Sequence, residues 1–143
     1  GLFHGEFLTA TKNKNIKKIM RKPEIVRPAY EIAYERLNKL NELNLINNKK
    51  IKEYYIILSE IIRSYLENEF NLPIVERTTS ETYKELKCSE KFERKIVTFV
   101  KDFLEECDLV KFAKYIPLEN VINNDYLNAK KIVDVTMPKE VAK

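Results

Sequence analysis

After Gly5 this chain contains no glycine. Glycine enters left-handed backbone without a Cβ penalty, so its absence restricts how the chain can turn. Helix stops beyond residue 5 must fall on residues that tolerate that conformation, asparagine above all. Loops that cradle phosphates or dinucleotides need glycine so that backbone can approach the anion, and none can be built from residues 6–143. The one histidine, His4, lies in the ragged N-terminus, so a Ser-His-Asp or Cys-His site has no base. No apolar run approaches the roughly 18 residues of a membrane span. Leu2, Phe3, Phe7 and Leu8 are too interrupted for a secretory signal.

A chain of 143 residues, 44% hydrophobic, is one domain long and apolar enough to bury a core. Its two cysteines, Cys88 and Cys107, form no CxxC pair and have no histidine or third cysteine at metal-ligand spacing. They read as free thiols in a reducing compartment, with a disulfide between them as the alternative. No metal or cofactor is expected.

The net charge of +4 is unevenly placed. Residues 1–27 hold seven Lys/Arg (Lys12, Lys14, Lys17, Lys18, Arg21, Lys22 and Arg27) against Glu6 and Glu24, a net +5. The rest holds nineteen Lys/Arg against twenty Asp/Glu, a net −1. The basic character therefore belongs to a leader. Three readings stand: a solvated linker, a stretch beside anionic lipid headgroups through Lys12, Lys14, Lys17, Lys18, Arg21 and Lys22, or a nucleic-acid arm.

From Pro28 onward the apolar positions recur at helical spacing, with no period-two strand and no internal repeat. The expected fold is all-α, a compact bundle of about five helices over residues 28–136, after the basic, partly irregular leader of 1–27 and before a polar tail, 137–143. A first helix is predicted from Pro28 to about Leu45, with Tyr30, Ala33, Leu37 and Leu40 on one stripe and Asn47-Asn48 as its stop. A second, Lys49 to Phe70, carries an apolar face wide enough for a central position, and Asn71 and Pro73 end it. Ile74 and Val75 are expected to anchor the extended segment that follows. Thr78-Thr79-Ser80-Glu81 has the spacing of a capping box, opening a short helix with Tyr83 and Leu86; a phosphosite is the alternative. Ser89 is expected to cap a helix from Glu90 to about Cys107, with Phe92, Ile96, Phe99, Val100, Phe103 and Leu104 inward. A last helix, from Pro117 to Thr136, would bury Val121, Ile122, Tyr126, Ala129, Ile132 and Val133.

Three stretches carry a resemblance. "RPAYEIAYERLNKL" (27–40), "KEYYIILSEIIRSYLENEFNLPIVERTTSETYKEL" (52–86) and "LEECDLVKFAKYIP" (104–117) together resemble the cytoplasmic C-terminal region of the BatD-type membrane proteins of bacterial aerotolerance operons, and related uncharacterised domains. The Arg-x-Tyr-Leu, Pro, Glu-x-Thr-Thr run and Asp-Leu-Val-Lys-Phe-Ala-Lys are its most specific parts. The resemblance implies a helical, non-enzymatic cytoplasmic part of a protein that also has extracytoplasmic β-rich domains and a transmembrane helix. It implies protein partners of two kinds, a MoxR-type AAA+ ATPase and von Willebrand factor A-domain proteins. On this reading the chain is a soluble excised fragment. In the intact protein it would stand at the cytoplasmic side of the inner membrane, where a Lys/Arg cluster obeys the positive-inside rule.

The segment Asp108–Tyr115, "DLVKFAKY", is the first candidate for a partner-docking surface. Asp108 would cap a short turn, Leu109 and Phe112 would insert into the core, and Lys111 and Lys114 would lie together outside, beside Tyr115. The alternatives are a purely structural corner between helices and nucleic-acid binding by the same lysines and aromatics, which a near-neutral body disfavours. Arg63 either rests its stem on the surface with its head in water or forms a partly buried ion pair with Asp108 or Glu76. The carboxylate pairs Glu67/Glu69, Glu90/Glu93 and Glu105/Glu106 read as solvated helix faces, not as an acid–base couple. The functional expectation is an interaction or scaffolding module without catalysis, the alternative being a nucleic-acid-binding domain with a basic arm.

Overall fold

The structure is a computed structural model and describes residues 27–140. The lipid-surface candidates Lys12, Lys14, Lys17, Lys18, Arg21 and Lys22 lie outside the described residues. The described chain is an all-α bundle: α1 (Ala29–Glu42), α2 (Ile51–Phe70), α3 (Thr79–Ser89), α4 (Arg94–Phe112) and α5 (Glu119–Thr136), with no strand among the described residues.

Pro28 opens α1 as its N-cap, and its carbonyl accepts from the N–H groups of Glu31 and Ile32. The helix stops at Glu42, earlier than Asn47-Asn48, because Asn44 takes the left-handed conformation (φ 54°) and Lys49 takes it again (φ 60°). Asn71 does the same at the end of α2 (φ 55°), as its residue type leads one to expect. Glu90 (φ 59°) and Lys114 (φ 59°) complete the set. Among the described residues, which contain no glycine, each left-handed turn thus falls on an Asn, a Lys or a Glu.

Helix α2 is the central element, packed against α1, α4 and α5. Its Tyr55, Leu58, Ile62 and Leu66 are fully enclosed. Burial of each Leu or Ile contributes roughly 1.5–3 kcal/mol, which makes this one face the largest block of the core. Helix α3 packs on α4. Its capping box forms as the sequence specifies: the Glu81 N–H donates to Thr78 Oγ1 at 3.1 Å, and the Thr78 N–H donates to the Glu81 carboxylate at 3.0 Å.

Helix α4 lies further along the chain than its pattern suggested. Ser89 belongs to the end of α3, where its hydroxyl donates to the Leu86 carbonyl at 2.8 Å and accepts from the Lys91 N–H at 3.3 Å. The extended Glu93 starts α4 instead, its carbonyl accepting from Ile96 and Val97. At the other end the helix runs through Asp108 to Phe112, because Asp108 bonds across to α3 and does not cap a turn. The buried stripe is Val97, Val100, Phe103, Leu104, Cys107 and Val110. Leu109 and Phe112 follow Cys107 by two and five positions, which turns them away from that stripe. They do not enter the core: Leu109 is 48% and Phe112 76% exposed.

In α5, Ile122, Ala129, Ile132 and Val133 are buried, while Val121 and Tyr126 are only partly covered. Ile74 is enclosed and Val75 half-buried. Both cysteines are free, Cys88 exposed and Cys107 buried. No helix among the described residues is long and apolar enough to cross a membrane.

Candidate functional site

Five residues were singled out in the sequence: Arg63, Asp108, Lys111, Lys114 and Tyr115. The structure divides them between a polar clasp and an exposed face, joined at Lys111.

The clasp ties α2, α3 and α4 together. Arg63 projects from α2 with its head buried, not in water. One terminal nitrogen donates to the Arg77 carbonyl at 2.7 Å and to Thr82 Oγ1 at 2.9 Å; the other donates to Thr79 Oγ1 at 2.9 Å. The Thr79 hydroxyl then donates to Asp108 at 2.5 Å. Arg63 therefore reaches Asp108 through a threonine, and its bonds include none to Glu76. Burial pulls the guanidinium pKa down, and the Asp108 charge opposes that shift. The group stays cationic, because an arginine has more than enough basicity to spare.

Lys111 leaves the exposed side expected for it and lies on α2. Its ammonium is 3.4 Å from Ser59 Oγ, 4.0 Å from Asp108 and 5.0 Å from the centre of the Phe112 ring. Lys114 stays exposed at the left-handed turn after α4. The Tyr115 N–H bonds back to the Leu109 carbonyl at 3.1 Å, which folds the chain into the 113–118 connection. Tyr115 is 38% exposed there.

Two grooves meet at Phe112 and Lys111. One, of about 470 Å³, runs between the start of α2 (Ile51, Lys52) and the end of α4 with Tyr115 and Ile116. The other, of about 560 Å³, runs along the clasp past Ile56, Arg63 and Thr79. Ile56, Phe112, Tyr115 and Ile116 leave large apolar surface in solvent along them. Scattered apolar residues on a surface are ordinary; here four of them cluster, and one is a phenylalanine 76% exposed. What this arrangement can do chemically is bind. The Arg63 terminal nitrogens are engaged inside the clasp, and the groove offers apolar wells with lysine ammoniums around them.

Sequence reasoning missed a second polar centre. Asp125 is buried on α5, and the Tyr55 hydroxyl donates to it at 2.5 Å. Burial pushes the Asp125 carboxyl upward. Glu106 on α4 is raised as well, by burial first and then by the neighbouring Asp125. The signal was present: Asp125 falls on the stripe of Ile122, Ala129, Ile132 and Val133, where a carboxyl requires a partner. Glu67 is likewise not merely a solvated face, because it accepts from the N–H groups of Ile74 (3.0 Å) and Val75 (3.1 Å) and fixes the loop after α2. Among the described residues no group of His, Cys, Asp and Glu is placed to hold a metal.

Comparison with protein-family models, with curated proteins and with solved structures finds no match to this chain.

Proposed function

We propose that this chain is a non-catalytic docking module that binds a protein partner across the end of α4. The observation that carries the reading is Phe112. It is 76% exposed, stands between two grooves, and has Ile116, also 76% exposed, on the connection just beyond it. Leaving such side chains in water forgoes burial free energy that a partner's surface can recover. The clasp supports the same reading, since Arg63, Thr79 and Asp108 hold the end of α4 against α2 and α3 and so present the face on rigid elements.

The resemblance to the cytoplasmic region of BatD-type proteins adds a context: a membrane-anchored protein with this module on the cytoplasmic side, docking a MoxR-type ATPase or a von Willebrand A-domain protein. Isothermal calorimetry with such an ATPase and such an A-domain tests it. Binding to either should be lost on Phe112→Ser with Ile116→Ser, while the helical circular-dichroism spectrum stays intact. Binding that survives the double substitution removes this face as the docking site. A shift with DNA or RNA at low salt that disappears on Lys111→Glu with Lys114→Glu would favour nucleic-acid binding instead.

A further inference from the structure

We infer that the groove between the start of α2 and the end of α4 takes an acidic amphipathic helix, seated by its apolar side and flanked by its carboxylates. The inference rests on the docking reading above and adds the chemistry of the partner.

Four lysines (Lys49, Lys52, Lys111 and Lys114) line this groove against one carboxylate, Glu53. Its apolar lining includes the partly buried Ile51 and the buried Val110, with the exposed Phe112 and Ile116 beside them. Lys111 is engaged with Ser59 and Asp108, whereas Lys49, Lys52 and Lys114 are exposed and form no ion pair among the described residues. Glu60, the next carboxylate along α2 toward the clasp, is taken by Arg36, and Asp108 by Thr79 and Lys111. The rim therefore has unneutralised positive charge, and a basic partner would be repelled there. The mode of recognition follows from the fold. Among the described residues there is no strand, hence no sheet edge onto which an extended peptide can add. A trough between two helices with apolar wells matches side chains at positions i, i+3 or i+4, and i+7 of an amphipathic helix, a mode that combines apolar anchors with flanking charge.

The test is selection from a displayed library of random peptides about 16 residues long, roughly four helical turns, against the full chain. The expected enrichment is peptides with a net excess of Asp and Glu and apolar residues at helical spacing. Their binding should weaken about tenfold on Lys52→Glu with Lys114→Glu and fall steeply with salt. It should weaken at least thirtyfold, about 2 kcal/mol, on Phe112→Ser with Ile116→Ser. Both pairs are exposed, so the variants should keep the wild-type spectrum. Enriched peptides that are neutral or basic, yet lose binding on Phe112→Ser with Ile116→Ser, overturn the acidic chemistry and leave the docking face standing. Peptides insensitive to both pairs overturn the face itself, as does a failure to enrich. Two further outcomes also overturn the inference: a concentration-dependent dimer that disappears on Phe112→Ser, and tight binding to phosphatidylglycerol vesicles that outcompetes the selected peptides.

Discussion

Arg63 and Asp108 face each other across Thr79, whose hydroxyl accepts from the guanidinium and donates to the carboxylate. The pair is thus a relay of three side chains from three helices. Arg63→Met should cost about 2–3 kcal/mol in urea unfolding, because Thr82, Thr79 and the Arg77 carbonyl lose their donor inside the fold. Arg63→Lys should recover only part of that loss, since one ammonium cannot serve acceptors on both branches of the fork. A cost below about 0.5 kcal/mol for Arg63→Met would show that the clasp contributes nothing.

The Tyr55–Asp125–Glu106 centre should make stability depend on pH. Both carboxyls are raised in the folded chain, chiefly by burial. A raised folded pKa means that the folded state holds its proton more tightly than the unfolded one. The contribution is complete below the ordinary carboxylate range and is lost as pH rises through the raised values. As pH rises above the ordinary carboxylate range, the free energy of unfolding should therefore fall on account of this pair, and that of Asp125→Asn should fall less steeply. Parallel curves for the wild type and Asp125→Asn would exclude the coupling. Tyr55→Phe should destabilise by about 1–3 kcal/mol at neutral pH, because the buried carboxylate then loses its donor.

Left-handed backbone costs a residue with a Cβ about 1–2 kcal/mol. Glu90 and Lys49 meet that cost at exposed turns. Glu90→Gly and Lys49→Gly should each raise stability by up to about 1 kcal/mol, part of the relief being offset by the freedom glycine gains in the unfolded chain. Denaturation midpoints would show it; a loss at either position would mean that its side chain makes a compensating contact.

Buried and exposed side chains of α4 should respond differently to truncation. Leu104→Ala removes an enclosed side chain and should cost about 2–5 kcal/mol. Phe112→Ser should change stability by less than about 0.5 kcal/mol. A large thermal destabilisation by Phe112→Ser would mean that this ring packs in the fold and is not held ready for a partner.

The two thiols should separate kinetically. Cys88 is exposed and should react at once with a disulfide reagent such as Ellman's. Cys107 is fully enclosed, and burial pushes its thiol pKa up, so it should react only as fast as the chain opens. Equal rates would contradict the packing of α4 against α2.

By itself the sequence determined the class of fold and most of its helices. The wide stripe of α2, the Asn71 stop and the Thr78–Glu81 box are local patterns, decided by residues within a turn or two of each other, and they appear in the structure as read. What local pattern could not decide was which competing partner a polar side chain takes. Ser89 could cap forward or close α3 backward, and Asp108 could start a turn or reach Thr79; each choice depends on a neighbour brought in by folding. Those choices moved both ends of α4 and reversed the fate of Leu109 and Phe112. The same holds for Asp125, whose partner Tyr55 lies 70 residues away. Only the docking of α2, α3, α4 and α5 placed the clasp, the buried carboxyl centre and the lysine-rimmed groove, because each is assembled from side chains that meet only once the helices are packed.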